Sequence, residues 1–221
     1  MNTKENRFNP EFINKIHDAL DEVEKHEGDT ALITVSLSDK NIYSNGLDTD
    51  WWAKNPDKGW NMVSDYVKLL GRLQIFPCPT IAAIEGHAFA GGCMFAMAHD
   101  YRIMGTGKGF MCLPELDLNM QLPEGMTATC RDKVTPEVYT EMLFGKRFTA
   151  QEAENLKVIT KATEKKFVFP YAMLLAKEYK KRGKNKDILK KIKYQAYKAS
   201  YDACAIGETD FKIPEILRAR L

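Results

Sequence analysis

After Asn9-Pro10, apolar residues recur at Phe12, Ile13, Ile16, Leu20 and Val23, with polar residues between them. Spacing of three and four puts all five on one face and predicts a helix that starts at the Asn-Pro pair. Residues 31–37 are apolar and rich in β-formers, which predicts a short buried strand, and Asn45-Gly46 breaks the chain soon after it. A second helix is expected from Asn61 to about Leu73, stopped before Pro77 and Pro79. Residues 80–84 read as a second buried strand. A glycine-containing turn then leads into the apolar run 93–98, expected to be a buried helix. Residues 101–104 and 109–112 are two further short strands, and beyond Thr135 the pattern is mostly helical. Alternating strand and helix predict an α/β fold with crossover connections.

Composition narrows the class. The 221 residues suit one core-forming domain, with or without a small helical appendage. Hydrophobic residues make up 44% and charged residues 28%, the balance of a soluble globular chain. A formal net charge of +2 is too small to imply a polyanionic partner for the whole molecule. Residues 157–198 do hold fourteen Lys or Arg against three acids. We read them as a solvated helical face; aromatic interleaving is modest and no RNA-binding motif is present, so nucleic acid is not an expected partner. The five cysteines form no C-x-x-C pair, which argues against a disulfide framework or zinc ribbon and for a reducing compartment. The polar start, Met1-Asn2-Thr3, carries no apolar signal core, and residues 88–98 are too short to span a bilayer. The last three residues, Ala219-Arg220-Leu221, resemble a peroxisomal address.

Three segments concentrate candidate chemistry. They are Tyr43-Ser44-Asn45-Gly46-Leu47-Asp48, Glu85-Gly86-His87-Ala88-Phe89-Ala90-Gly91-Gly92-Cys93, and Leu113-Pro114-Glu115-Leu116-Asp117-Leu118 running on to Pro123-Glu124-Gly125. Gly91-Gly92 opens an apolar helix. Backbone N–H groups there lack internal partners and sit at the positive end of the dipole, so they can hold an anion or a developing oxyanion.

In this order and at these distances the segments resemble the crotonase (enoyl-CoA hydratase/isomerase) superfamily. Residues 42–48 are similar to its first oxyanion segment, and residues 81–92 with His99-Asp100-Tyr101-Arg102 to its second. Residues 143–153 are similar to its later G-[KR]-x-x-x-A-x-E-A turn and helix. The pattern is nearest that of plant peroxisomal Δ3,Δ2-enoyl-CoA isomerases, whose S-N-G-x-D, H-D-Y and S-E-V-D-I-G segments match residues 44–48, 99–101 and, more loosely, 114–119. The resemblance implies a spiral of ββα units over residues 1–150 and a C-terminal helical trimerisation or lid region over 151–221. It further implies a homotrimer or dimer of trimers and an acyl-CoA substrate, with no other cofactor, no metal and no membrane partner.

Carried over residue by residue, the oxyanion hole is the backbone N–H pair of Leu47 and Gly91. Ser44, Asn45, Gly46, Asp48, Ala90, Gly92 and Trp51 are the neighbouring substrate-binding candidates, and Trp51-Trp52 are expected at the acyl or pantetheine channel or covering a loop. Family hydratases place one glutamate three residues after the oxyanion glycine, where this chain has Met94. Methionine neither exchanges a proton nor orients water. That leaves a single-carboxylate isomerase, with Glu115 the first candidate base, Glu124 the second and Asp117 a distant third. Another family enzyme, such as a hydratase or thioesterase, and a non-catalytic acyl-CoA- or RNA-binding relative are the rivals. His99 and Asp100 are expected to be structural. The residues opening the chain lead almost directly into the first helix, where the family begins with a strand or hairpin, so an altered sheet edge is expected there. Lys157 departs from the family's G-L-V turn.

Overall fold

The computed structural model describes residues 1–38 and 40–206; the tripeptide at 219–221 lies outside them. The first predicted helix is α1 (Pro10–Lys25), capped by the Asn9 side chain, which accepts from the Phe12 N–H at 3.0 Å. The second is α3 (Gly59–Gln74), preceded by a short α2 (Thr49–Lys54). Between α1 and α2 lie β1 (Leu32–Val35) and β2 (Ile42–Ser44). The same unit then repeats as β3 (Thr80–Ile84), β4 (His87–Phe89) and α4 (Gly91–Met97). A third turn contributes β5 (Tyr101–Thr106), β6 (Met111–Cys112) and α5 (Glu124–Arg131). In each turn the first strand joins one sheet and the second joins another, giving the orders β1-β3-β5 and β2-β4-β6, all parallel. This is the ββα spiral that the resemblance implies.

Beyond it come α6 (Pro136–Leu143), α7 (Ala150–Asn155), β7 (Lys161–Glu164), α8 (Lys165–Tyr179), α9 (Lys186–Ala196) and α10 (Lys198–Ile206). Strand β7 departs from the expected helical pattern. Its sequence, KATE, has no β-forming run, yet it pairs in parallel with β5 and becomes the fourth strand of the first sheet. The exposed edge of β5 decides its conformation by supplying ladder partners; propensity does not.

Both faces of that sheet are covered at its centre, which explains the continuously buried run of β3. Ile81, Ala83 and Ile103 pack on Val168, Ala172 and Ala176 of α8. Ala82, Ile84 and Met104 turn to the main core, where Phe8, Tyr66 and Phe95 meet with ring centroids 4.7 and 5.2 Å apart.

The His99-Asp100 pair sits in this scaffold. His99 is fully buried; its Nδ1 donates to the Phe95 carbonyl at 2.8 Å and its Nε2 accepts from the Thr34 hydroxyl at 2.9 Å. Burial pushes its pKa down to about 3, so the ring is neutral. Asp100 accepts from the Thr80 N–H at 2.9 Å and from Lys193 Nζ at 2.6 Å. Lys193 is itself buried and ties α9 to this point. Lys193→Ala should lower unfolding free energy by about 1–3 kcal/mol, because Asp100 keeps Thr80 but loses its cation. Chemical denaturation checks this, and a change under about 0.5 kcal/mol would assign the pair no structural weight.

Candidate active site

Strand β2 ends at Ser44, and the chain then turns through Asn45 and Gly46, the latter at φ +79°. Residue Phe8 runs alongside in a parallel bridge to Leu47: the Phe8 N–H donates to the Gly46 carbonyl at 2.8 Å, and the Asp48 N–H donates to the Phe8 carbonyl at 2.9 Å. Both bonds use the neighbours of Leu47, so its own N–H points to the opposite side. On that side lies the start of α4. A Cβ on Gly46 would fall 2.7 Å from the Gly91 nitrogen, so the two turns touch only because Gly46 has no side chain.

Gly91 is the first residue of α4, where an N–H has no intrahelical acceptor. The peptide that carries this N–H is set by Ala90 at φ +51°, ψ −126°, a conformation an L-residue rarely adopts. Surrounding bonds hold it: the Ala90 N–H donates to the Cys112 carbonyl at 3.0 Å, and the Ala90 carbonyl accepts from Cys93 and Met94. The Tyr66 hydroxyl donates to the Gly91 carbonyl. Leu47 and Gly91, on adjoining turns, thus line one cavity of about 180 Å³, together with Asn45, Ala90 and Met94.

Glu115 enters the same cavity from the turn that follows β6. It is 6% exposed, and its Oε2 is shut from solvent with no hydrogen-bond partner among the described residues. Burial pushes its carboxyl up from 4.5 to about 7, and its own backbone N–H offsets this only in part. Among the described residues no cation offsets this shift. A carboxyl with a pKa near neutrality can both accept and return a proton at physiological pH.

The other candidates separate. Glu124 is exposed in the first turn of α5 and does not line the cavity, where Pro123 and Met126 flank its position instead. An acid at that place suits the helix dipole. Asp117 is exposed as well. Ser44 and Gly92 lie behind the cavity: the Ser44 hydroxyl donates to the Asn6 carbonyl at 2.7 Å, and Gly92 packs on the Ser44 main chain. Asp48 caps α2, accepting from the Trp51 N–H at 3.0 Å. Trp51 faces an adjoining surface groove, and it is Trp52 that reaches the cavity wall. Sequence reasoning did not find Trp60, Val63, Leu122 and Met126, which complete that wall. Trp60 and Val63 stand three apart on α3, a helical spacing legible in the sequence.

Several lysines of the basic C-terminal segment are engaged within the molecule. Lys186 donates to the carbonyls of Val23, Glu24 and His26 at the end of α1, and Lys161, Lys166 and Lys198 pair with Glu154, Glu164 and Asp202. Among the described residues no helix is long and apolar enough to cross a membrane, and no cluster of metal-ligating side chains is present.

Known proteins share this fold. The chain is 30% identical over 160 residues to enoyl-CoA delta isomerase 1, peroxisomal, of Arabidopsis thaliana, covering 72% of this chain and 67% of that protein. It superposes with a TM-score of 0.85 on an enoyl-CoA hydratase/isomerase family protein from Pseudomonas syringae, at 24% identity over 94% of this chain and 88% of that one. Human mitochondrial delta3-delta2-enoyl-CoA isomerase gives a TM-score of 0.78 at 19% identity, covering 98% of this chain and 87% of that one. The enoyl-CoA hydratase/isomerase family matches residues 1–208. With the ββα spiral, the paired N–H turns and a match over nearly its whole length, the chain belongs to the enoyl-CoA hydratase/isomerase family.

Proposed function

We propose that the protein moves the double bond of a 3-enoyl-CoA to the trans-2 position, with Glu115 as the single proton shuttle. The observation that carries this reading is a buried carboxyl, its Oε2 unpartnered, in the same cavity wall as Leu47 and Gly91. The carboxylate takes a proton from C2. The electron pair delocalises into a dienolate whose charge rests largely on the thioester oxygen, held by the two backbone N–H groups. Glu115 then returns the proton to C4, leaving the double bond between C2 and C3. One such N–H donor is worth about 2.7–4 kcal/mol of barrier in comparable sites. Proton transfer balances within the substrate, so the reading requires no metal or redox cofactor. With Met94, 1% exposed, in the cavity wall, Glu115 is the one carboxylate lining it among the described residues, which favours isomerisation over hydration. Relatives named enoyl-CoA delta isomerase support the same choice.

The expected homotrimer belongs to this reading. Exposed Phe167, Phe169 and Leu174 on α8, with Ile188 and Ile192 on α9, offer apolar surface for assembly to bury; light scattering gives the mass. Relatives named peroxisomal support that compartment, which a fluorescent fusion imaged against a peroxisomal marker tests.

The direct assay follows appearance of the conjugated 2-enoyl thioester from a 3-enoyl-CoA. Because Glu115 must be ionised to accept the first proton, kcat/KM should rise with pH and level off above about 7. Turnover of 2-enoyl-CoA to the 3-hydroxy product without isomerisation would instead make the protein a hydratase.

A further inference from the structure

Besides Leu47, Gly91 and Glu115, the cavity is lined by large apolar side chains. Trp52, Val63 and Met126 there are 2%, 4% and 3% exposed. Trp60 meets Trp52 edge-on, with ring centroids 5.2 Å apart and planes at 75°. The Trp52 ring cannot swing aside easily, because Gly59 at the start of α3 lies flat against it. A Cβ on Gly59 would fall 1.7 Å from the indole Nε1 and 2.1 Å from its Cδ1. Two large rings, one wedged on a helix start and the other bracing it, make a stiff floor. By contrast, Leu118 and Gln121, which also line the cavity, are exposed.

Resting on the acyl-CoA reading above, we infer that the Trp52–Trp60 pair sets acyl length and restricts the enzyme to short chains of about six carbons. An apolar cavity of about 150 Å³ holds one benzene, which is six carbons. The present cavity of about 180 Å³ therefore takes little more, and that space includes C2 to C4 beside Glu115. A twelve-carbon tail would have to displace the braced tryptophans.

The test compares 3-hexenoyl-CoA with 3-dodecenoyl-CoA in wild type, Trp60→Ala and Val63→Ala. Calorimetric binding of hexanoyl-CoA and dodecanoyl-CoA to the wild type accompanies it. Wild-type kcat/KM should favour the six-carbon substrate by at least about tenfold. Either substitution should shrink that ratio by raising the twelve-carbon rate. Hexanoyl-CoA should also bind more tightly than dodecanoyl-CoA, against the usual gain from added methylenes. Length-selective binding without turnover of either enoyl substrate would sustain the gauge and overturn the isomerase reading alone. Equal or better use of the twelve-carbon substrate by wild type, an unchanged ratio in both variants, or no binding of either acyl-CoA would overturn the gauge.

Discussion

Glu115→Gln should abolish isomerisation and at the same time make the protein more stable above neutral pH. Glutamine keeps the shape of the side chain but cannot take the C2 proton, so kcat should fall by about 10²–10⁴-fold. The stability effect follows from linkage. The carboxyl titrates at about 7 when folded, against 4.5 for the unperturbed group, so the folded state binds the extra proton between those pH values. Unfolding free energy contributed by this group is therefore highest below about pH 4.5, falls as pH rises and levels off above about 7. At pH 8 the wild type bears the full burden of a desolvated carboxylate, on the order of 3 kcal/mol, and the glutamine variant does not. Denaturation of both proteins at pH 5 and pH 8 should show the variant's advantage only at the higher pH. A variant no more stable than wild type at pH 8, or one that retains activity, would remove Glu115 from its assigned place. The combination is diagnostic, since a merely structural glutamate would not trade activity for stability.

Gly92→Ala should prevent the native fold from forming at all. A Cβ there would lie 2.1 Å from the Ser44 carbonyl oxygen and 2.7 Å from its carbonyl carbon, main-chain atoms that no rotamer can move. Ser44 cannot retreat, because its hydroxyl donates to the Asn6 carbonyl at 2.7 Å and accepts from the Gly46 N–H at 3.2 Å. Relief of the clash would drag residues 44–47 away from α4 and part the Leu47 and Gly91 amides. A loss above about 4 kcal/mol is expected, read as insoluble protein or loss of the cooperative thermal transition. A melting curve like that of the wild type would show that β2 and α4 are not in contact as described.

The tertiary structure separates what the residue pattern leaves equal. Glu115 and Glu124 each follow a proline, so their local signals match. One is buried with a partnerless oxygen, whereas the other sits in water at a helix start. Dielectric surroundings come from distant segments, here Met94 of α4 and the residues around it, and no local pattern encodes them. The adjacent tryptophans pose the same problem. In a helix, successive residues point about 100° apart, so Trp52 lines the cavity and Trp51 the surface groove. The six-residue α2 that fixes this phase is too short to show a period. Likewise β2 and β4 have three residues each and declare themselves only through pairing.

By itself the sequence determined the long elements α1 and α3, the buried strand β3, the glycine turns and the family likeness, whereas β1, expected to be buried, is only half-buried. Those signals are repetitive along the chain or consist of residue types with few conformational alternatives. Which carboxylate loses its water, which tryptophan faces inward, and that KATE becomes a strand were decided only by the tertiary structure. Each depends on the partner that long-range packing brings alongside, and burial is a property of the assembled neighbours.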